Sequence, residues 1–317
     1  MYSATFFITF ISVAVSVNSQ YNNYVACFKQ GNTKWLSQPV LNTPVYSSLC
    51  RTTCTQRDTP LMAFQKTSSS KGMCFCGSQI PDRASQAPGS SCAMNVPFVS
   101  LYYNHYSNKD ACHVDYVSMD PAHWNVKYGS SNNKFISGNN TNAMTMAHQS
   151  GTNMYSSDSQ TFGMICVNSQ VSGIPGAITA FYLSNDPQNQ HTSQDEIDFE
   201  WINAYPCSGV GCLWTNHFVN GVQYNPSLLG QSQLNFKTYG GYHSYCLNWQ
   251  TDKIEWFTDG RLVSSTHSNV NPIPQKPLNT IISFWTDVGN KFNWGGQLDW
   301  NAVVYSFLSG EVRIRCY

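Results

Sequence analysis

The chain has 317 residues, with 17 Lys and Arg balanced by 17 Asp and Glu, giving a formal net charge of zero. Only 11% of residues are charged, so neither nucleic acid nor an anionic lipid surface is an expected partner. The polar surface must come from Ser, Asn, Thr, Gln and Tyr, and 14% of residues are aromatic, a balance that suits a neutral, hydroxyl-rich, flat-faced partner such as a polysaccharide.

Residues 1–19 read as a secretory signal. Phe6 to Val17 is almost wholly apolar, and Val17 and Ser19 are small enough to flank a cleavage site after Ser19. That run is short for a membrane span, and the chain ends at Cys316-Tyr317 without an apolar tail, so no membrane anchor is expected. The expected product is a secreted monomer. Its length suits one large β-domain plus a small module.

Twelve cysteines in a secreted chain imply disulfides. Cys27, Cys50, Cys54, Cys74, Cys76 and Cys92 precede residue 108, and Cys112, Cys166, Cys207, Cys212, Cys246 and Cys316 follow it, so each part can close its own bridges. No CxxC pair appears, and neither a metal nor a cofactor is expected.

Residues 20–107 form a cysteine-dense module too small to bury much apolar surface, and it leans on its bridges. The order Cys27, Cys50-x-x-x-Cys54, Cys74-Phe75-Cys76-Gly77, Cys92 and a closing Phe98-Val99-Ser100-Leu101-Tyr102-Tyr103 resembles a WSC domain. That resemblance implies a carbohydrate-binding anchor, with three bridges in place of the family's four. A structural cap is the competing reading.

Tyr106 to Asp110 reads as the seam, and residues 108–317 as the second domain. Short apolar-aromatic runs then alternate with turn clusters, the pattern of an all-β sandwich, with no convincing helix of three turns. Asn139-Asn140-Thr141 is a glycosylation sequon, with Asn139 as acceptor. Ala177 to Leu183 is a near-continuous apolar run. Tyr245 to Trp249 and Lys253 to Phe257 alternate, and Asp259-Gly260 signals a hairpin turn into Arg261-Leu262-Val263. Thr280 to Trp285 and Val303 to Phe307 read as further strands.

The sharpest feature is Asp195-Glu196-Ile197-Asp198-Phe199-Glu200-Trp201. As a strand of period two it puts Glu196, Asp198 and Glu200 on one face and Ile197, Phe199 and Trp201 on the other. Acids are poor strand residues and like charges repel, so three on one face are not there for stability. The chain has only four glutamates, Glu196, Glu200, Glu255 and Glu311, and two of them are in this segment. Paired carboxylates are what a retaining glycosidase needs, one ionised as nucleophile and one protonated as acid and then base. Residues four apart on a flat strand are roughly 13 Å apart at Cα. Retention needs carboxyl groups about 5–5.5 Å apart, so the strand must curve or the side chains lean together.

Glu196-Ile197-Asp198-Phe199-Glu200 resembles the Glu-x-Asp-x-Glu signature of glycoside hydrolase family 16, and within it the fungal Crh-type cell-wall transglycosylases. Ordered blocks support the match: Phe162-Gly163, Gly173 to Phe181, Thr215-Asn216-His217-Phe218, His243-Ser244-Tyr245, Ile254 to Gly260 and Trp294 to Trp300. The resemblance implies a β-jelly-roll sandwich with an open cleft on its concave face. It implies Glu196 as nucleophile, Glu200 as acid/base and Asp198 as the auxiliary between them. It further implies sugar contacts from Asn216, His217, Phe218, Tyr245, Trp285 and Trp294, and chitin or β-glucan of the cell wall as partner.

Two departures stand out. The strand Gly163 to Asn168 lacks the Arg or Lys common in relatives. The segment Tyr205-Pro206-Cys207-Ser208-Gly209-Val210-Gly211-Cys212 lies outside the signature, and its two glycines allow Cys207 and Cys212 to close a small disulfide loop. The expected activity is cleavage and re-ligation of cell-wall polysaccharide. The alternatives are an endo-β-1,3(4)-glucanase and a wall-binding lectin without catalysis, and the intact comb argues against the latter.

Overall fold

A computed structural model of the chain describes residues 24–30, 36, 38–57, 59–81, 86–87, 92, 98–103, 112–146, 150–186, 193–204, 207, 209–286, 295–302 and 304–316. The expected signal at 1–19, the seam at 106–110 and Trp294 lie outside the described residues, as does the side chain of Asn139.

The N-terminal part is one antiparallel sheet with a helix. Its elements are β1 (Tyr24–Lys29), β2 (Val45–Tyr46), α1 (Ser47–Gln56), β3 (Leu61–Lys66), β4 (Lys71–Gly77), β5 (Gln86–Ala87) and β6 (Phe98–Tyr103). The six strands run in the order β2-β4-β3-β6-β1-β5. The ten residues of α1 stop just short of three turns, and its only buried residues are Cys50 and Cys54. Their i, i+4 spacing puts both sulfurs on one helix face, where they bond Cys74 and Cys76 of β4. Cys27–Cys92 is a third bridge. The sulfurs of Cys50, Cys54 and Cys74 lie within 4.8 Å of one another, but each is committed to a disulfide.

The rest is a two-sheet sandwich. Its first strands are β7 (Cys112–Tyr116), β8 (Asn125–Tyr128), β9 (Asn133–Ile136), β10 (Thr141–Thr145), β11 (Thr152–Gln160) and β12 (Gly163–Gln170). Then come β13 (Ile178–Ser184), β14 (Glu196–Ile202), β15 (Cys212–Val219), β16 (Val222–Leu229) and β17 (His243–Trp249). The last are β18 (Lys253–Thr258), β19 (Arg261–His267), β20 (Leu278–Trp285) and β21 (Tyr305–Cys316). One sheet is ordered β16-β15-β14-β13-β20-β11-β8 and the other β19-β18-β17-β12-β21-β10-β9, with β7 also pairing β21. Between them lie Ile197, Phe199 and Trp201 of β14 against Tyr245, Leu247, Trp249 and Trp256 of the second sheet. The β18–β19 hairpin turns on Asp259 (φ 46°) and Gly260 (φ 77°), two successive left-handed residues as the Asp-Gly pair demands.

The outer face of the second sheet is covered by the N-terminal part. Met164, Cys166, Cys246, Phe257 and Ile314 form one apolar cluster with Phe28, Leu61, Phe75, Leu101 and Tyr103. Cys166 and Cys246, opposite each other on β12 and β17, are disulfide-bonded within it. Beside them a buried polar chain crosses the seam. Lys253 Nζ sits 2.7 Å from Glu255 Oε1, Asn248 Nδ2 donates to Glu255 Oε2 at 2.5 Å, and the Tyr103 hydroxyl donates to Asn248 Oδ1. Burial, and then the Glu255 carboxylate, push the Tyr103 hydroxyl far up from the usual phenol range, so it stays a donor. The Ser78 hydroxyl reaches the Gly260 carbonyl, and that of Tyr116 donates to Pro81 O at 2.8 Å. The small module therefore completes the second sheet's packing as well as leaning on its own bridges. Among the described residues no helix is long and apolar enough to cross a membrane.

Candidate active site

The acidic comb is β14, central in the first sheet, and it pairs β13 and β15 with no bulge. Directly opposed residues on antiparallel strands point to the same face. Register therefore reads out the face that carries the comb, with Ser184 and Phe218 flanking Glu196, Tyr182 and Asn216 flanking Asp198, and Ala180 and Trp214 flanking Glu200. On β20, Ile281, Ser283 and Trp285 continue the rows of Tyr182, Ala180 and Ile178. Asn153 and Tyr155 of β11 follow beside Ser283 and Ile281.

The comb is held from both its end and its back. The buried carboxylate of Asp195 accepts from Asn220 N at 2.8 Å, and Lys276 Nζ lies 3.4 Å from it, so the β15–β16 turn is tied to the start of β14. From the core side, Trp256 Nε1 donates to the carbonyl of Asp198 at 2.9 Å.

All three carboxyls are held above the usual carboxylate range, first because burial disfavours charge. Glu196 is raised to about 7, the effect of burial moderated by hydrogen bonds from Asp198 and Ser184. Glu200 rises to about 8, through burial and then the charge of Glu196. Asp198 is raised well above its ordinary value by burial and then by both glutamates, so it keeps its proton and donates it to Glu196. Burial thus holds a proton on this face near neutral pH, as a carboxyl that acts as an acid requires.

Of the sugar contacts expected from sequence, Asn216, Phe218 and Trp285 lie on the same sheet face as the comb. His217 and Tyr245 do not. His217 is opposite Ile197, and so points into the sandwich, where it is fully buried. Its ring stacks on Tyr224, and its Nε2 lies 2.9 Å from Pro272 O; burial lowers its pKa, leaving a neutral ring that donates there. Tyr245 is likewise fully buried, edge-on to Trp201 at 4.7 Å between ring centroids. Both errors have one cause: neighbours in a strand alternate faces, and a motif block does not say which face is which.

The sequence reading passed over Tyr182, whose hydroxyl accepts from Asn153 Nδ2 at 3.4 Å. Burial and then the Glu196 charge push that phenol well up, so it is a neutral donor facing the comb. Its position within an apolar run gave no signal, because only its register opposite Asp198 reveals it. The bridge between Cys207 and Cys212 is formed, with Cα atoms 5.5 Å apart.

A sandwich with two glutamates and a proton-holding aspartate in one row on a sheet face defines a class of carbohydrate-active protein. The model of glycosyl hydrolases family 16 matches residues 121–302, and the chain belongs to that family. It is 29% identical over 231 residues to Crh-like protein 3 of Botryotinia fuckeliana, covering 64% of this chain and 49% of the relative. It is 29% identical over 175 residues to Crh-like protein UTR2 of Candida albicans, covering 52% and 34%. The chain thus spans about half or less of these relatives. Among solved structures, Bacillus licheniformis β-glucanase superposes with a TM-score of 0.51 at 20% identity, over 67% of this chain and 94% of that one. A Crh5 transglycosylase in complex with NAG does so at 0.53 and 20%, over 64% and 83%. At these identities the likeness concerns the fold.

Proposed function

We propose that this is a secreted, retaining enzyme that cleaves and re-ligates cell-wall β-glycan, chitin or β-glucan, by double displacement. The observation that carries the reading is the row of Glu196, Asp198 and Glu200 on one face of β14, with burial raising all three carboxyls. Glu196, ionised first, attacks the anomeric carbon. Glu200, still protonated, gives its proton to the departing glycosidic oxygen, and a covalent glycosyl-Glu196 ester results. Glu200, now a carboxylate, takes a proton from the incoming hydroxyl, whose oxygen attacks the anomeric carbon and releases Glu196. Asp198 holds Glu196 in place through its donated hydrogen bond, and Asn216, Phe218, Tyr182 and Trp285 are proposed to position sugar rings on the floor.

The acceptor decides the outcome: a sugar hydroxyl gives transfer and water gives hydrolysis. The similarity to Crh-like proteins favours transfer. Relatives of the β-glucanase type favour the second reading, an endo-β-glucanase; a 128-residue match to a Bacillus licheniformis enzyme is 27% identical. The N-terminal part is proposed as a WSC-like glycan anchor, supported by the exposed ring of Tyr46 with Lys71 Nζ 5.2 Å above it.

The test is product analysis with a fluorescent oligosaccharide acceptor and chitin, β-1,3-glucan or β-1,6-glucan as donor. Labelled products longer than the acceptor support transfer. Shorter unlabelled products alone support the glucanase, and no products from any donor would overturn the enzymatic reading.

A further inference from the structure

The N-terminal part packs on only a portion of the second sheet's outer face. Met164 and Cys166 of β12 lie in its cluster, whereas Asn168 and Gln170, next on the same face, are only half-buried. Gln170 is in register with Phe307 of β21, and that row runs on through Ala143 of β10 to Lys134 of β9. Ser306 and Leu308, on the other face of β21, are fully buried in the sandwich. Phe307 therefore points outward from the second sheet, while the comb points outward from the first. The two surfaces lie on opposite sides of the sandwich.

Two rings dominate the uncovered portion. Tyr305 and Phe307, two residues apart on β21, share a face, with ring planes 17° from parallel and centroids 6.3 Å apart. Tyr305 is 47% exposed, and Ile136 of β9 is 40% exposed. Between them the small side chain of Ala143 leaves a depression, a groove of about 610 Å³ lined by Tyr305, Phe307, Ala143, Ile136 and Lys134. A contiguous exposed patch of this kind marks a binding surface more often than a scattered apolar residue does.

The groove's chemistry selects its occupant. Lys134 is the only charged side chain among its eight lining residues, too little to hold a polyanion. Eight residues are also far fewer than the roughly 20–30 a side of a stable protein interface. A ligand with flat apolar faces and hydroxyl edges fits. Sugar rings can lie against Tyr305 and Phe307, with the amides of Gln170 and Asn168 and the hydroxyl of Ser309 alongside to meet their hydroxyls.

We propose that Tyr305 and Phe307 form a second glycan-binding surface, opposite the comb, for a neutral wall polysaccharide. The identity of the polymer rests on the function proposed above. Holding an insoluble wall from this side leaves the comb free for a neighbouring strand, and it raises the local concentration of substrate.

The test is sedimentation of the full chain with insoluble β-1,3-glucan and with chitin, beside turnover of laminarihexaose and chitohexaose. Tyr305→Ala is expected to weaken sedimentation about threefold to tenfold, the loss of one sugar–ring stack, and to leave turnover of the soluble sugars within about twofold. Phe307→Ala is expected to do the same, and Tyr305→Ala keeps the test readable if the half-buried Phe307 is needed for folding. Parent-like sedimentation of Tyr305→Ala, or turnover that falls in step with it, would overturn the proposal. Two other occupants are tested alongside. The sequon at Asn139 begins one residue beyond Gly138, which also lines the groove. If Tyr305 matters only in an Asn139→Gln background, the chain's own N-glycan fills the groove and the proposal fails. It fails equally if the parent is a dimer in ultracentrifugation that Tyr305→Ala converts to monomer. A parent without turnover whose sedimentation still depends on Tyr305 loses the enzymatic reading and keeps this one. A parent that turns over soluble sugars but does not sediment loses this one alone.

Discussion

Trp256 Nε1 hydrogen-bonds the carbonyl of Asp198, so the middle of the acidic comb is pinned by a residue of the opposite sheet. Trp256 is fully buried on β18, and its ring also lies 6.4 Å from that of His217. One side chain thus couples the sandwich core to the strand that carries the comb.

Replacing Trp256 with Phe removes that donor and opens a small cavity, at a cost of about 2–4 kcal/mol. The expected result is a folded protein with a lower melting temperature and a turnover reduced more than its KM is raised. Equal turnover at 20 °C with lowered stability alone would place the contact outside catalysis.

Glu196→Gln and Glu200→Gln keep side-chain volume while removing the nucleophile or the proton. Each is expected to lower turnover by several orders of magnitude with circular dichroism unchanged. Azide is expected to rescue Glu196→Ala to the inverted glycosyl azide, and Glu200→Ala to the retained one, because only the latter keeps the covalent intermediate. Exchanged products would reverse the two roles.

Activity is expected to follow a bell in pH. The competent form has Glu196 ionised and Glu200 protonated, so the rate rises through about 7 and falls through about 8, the two values acting as those of a coupled pair. Stability follows its own course. Both carboxyls are raised above their unfolded values, so the folded state binds more protons between about 4.3 and 8. Their contribution is fully present below the unfolded value and is lost as pH rises through the folded one. Denaturant midpoints measured from pH 5 to 9 are expected to fall, and to fall less in Glu200→Gln.

His217→Ala is expected to lower stability, by about 2–4 kcal/mol for a large buried side chain, and to leave the KM for soluble oligosaccharides within about twofold. A KM rise without loss of stability would return this residue to the cleft.

Deleting residues 20–103 is expected to abolish soluble expression of the sandwich, because it bares Met164, Phe257, Ile314 and the Cys166–Cys246 bridge together with the Glu255 carboxylate. A soluble, active fragment with a normal melting temperature would show that the module is a detachable anchor.

Period-two alternation was strong enough to reveal β14, and Asp259-Gly260 its hairpin, because both signals are local. The all-β class followed from the same kind of signal. What sequence did not carry was register. Tyr182 and Asn216 flank Asp198 through the pairing register of three successive strands joined by loops that do not announce it, and His217 faces away because it is one residue from Asn216. The helix α1 carries no sequence signal because its burial is specified by two cysteines, with no apolar stripe to mark it. The shared core between module and sandwich is tertiary in origin, and the composition of either part is silent on it.

β21 lies between β12 and β10 and also pairs β7, so the middle of the second sheet is made from residues 305–316. On the ribosome, β7 and β10 are complete long before β21, the partner of both, is synthesised. For most of that time the sheet exists as two unjoined pieces with open edges, a state prone to intermolecular strand pairing. The 80-residue Cys166–Cys246 link can close on one piece beforehand, since β12 and β17 are adjacent and both precede β21. Joining the pieces must wait for the last strand, which also sets Cys316 opposite Cys112. Insertion of β21 is therefore the expected slow step in biogenesis, and premature termination anywhere before it yields an aggregating chain even though every carboxyl of the cleft has already been made.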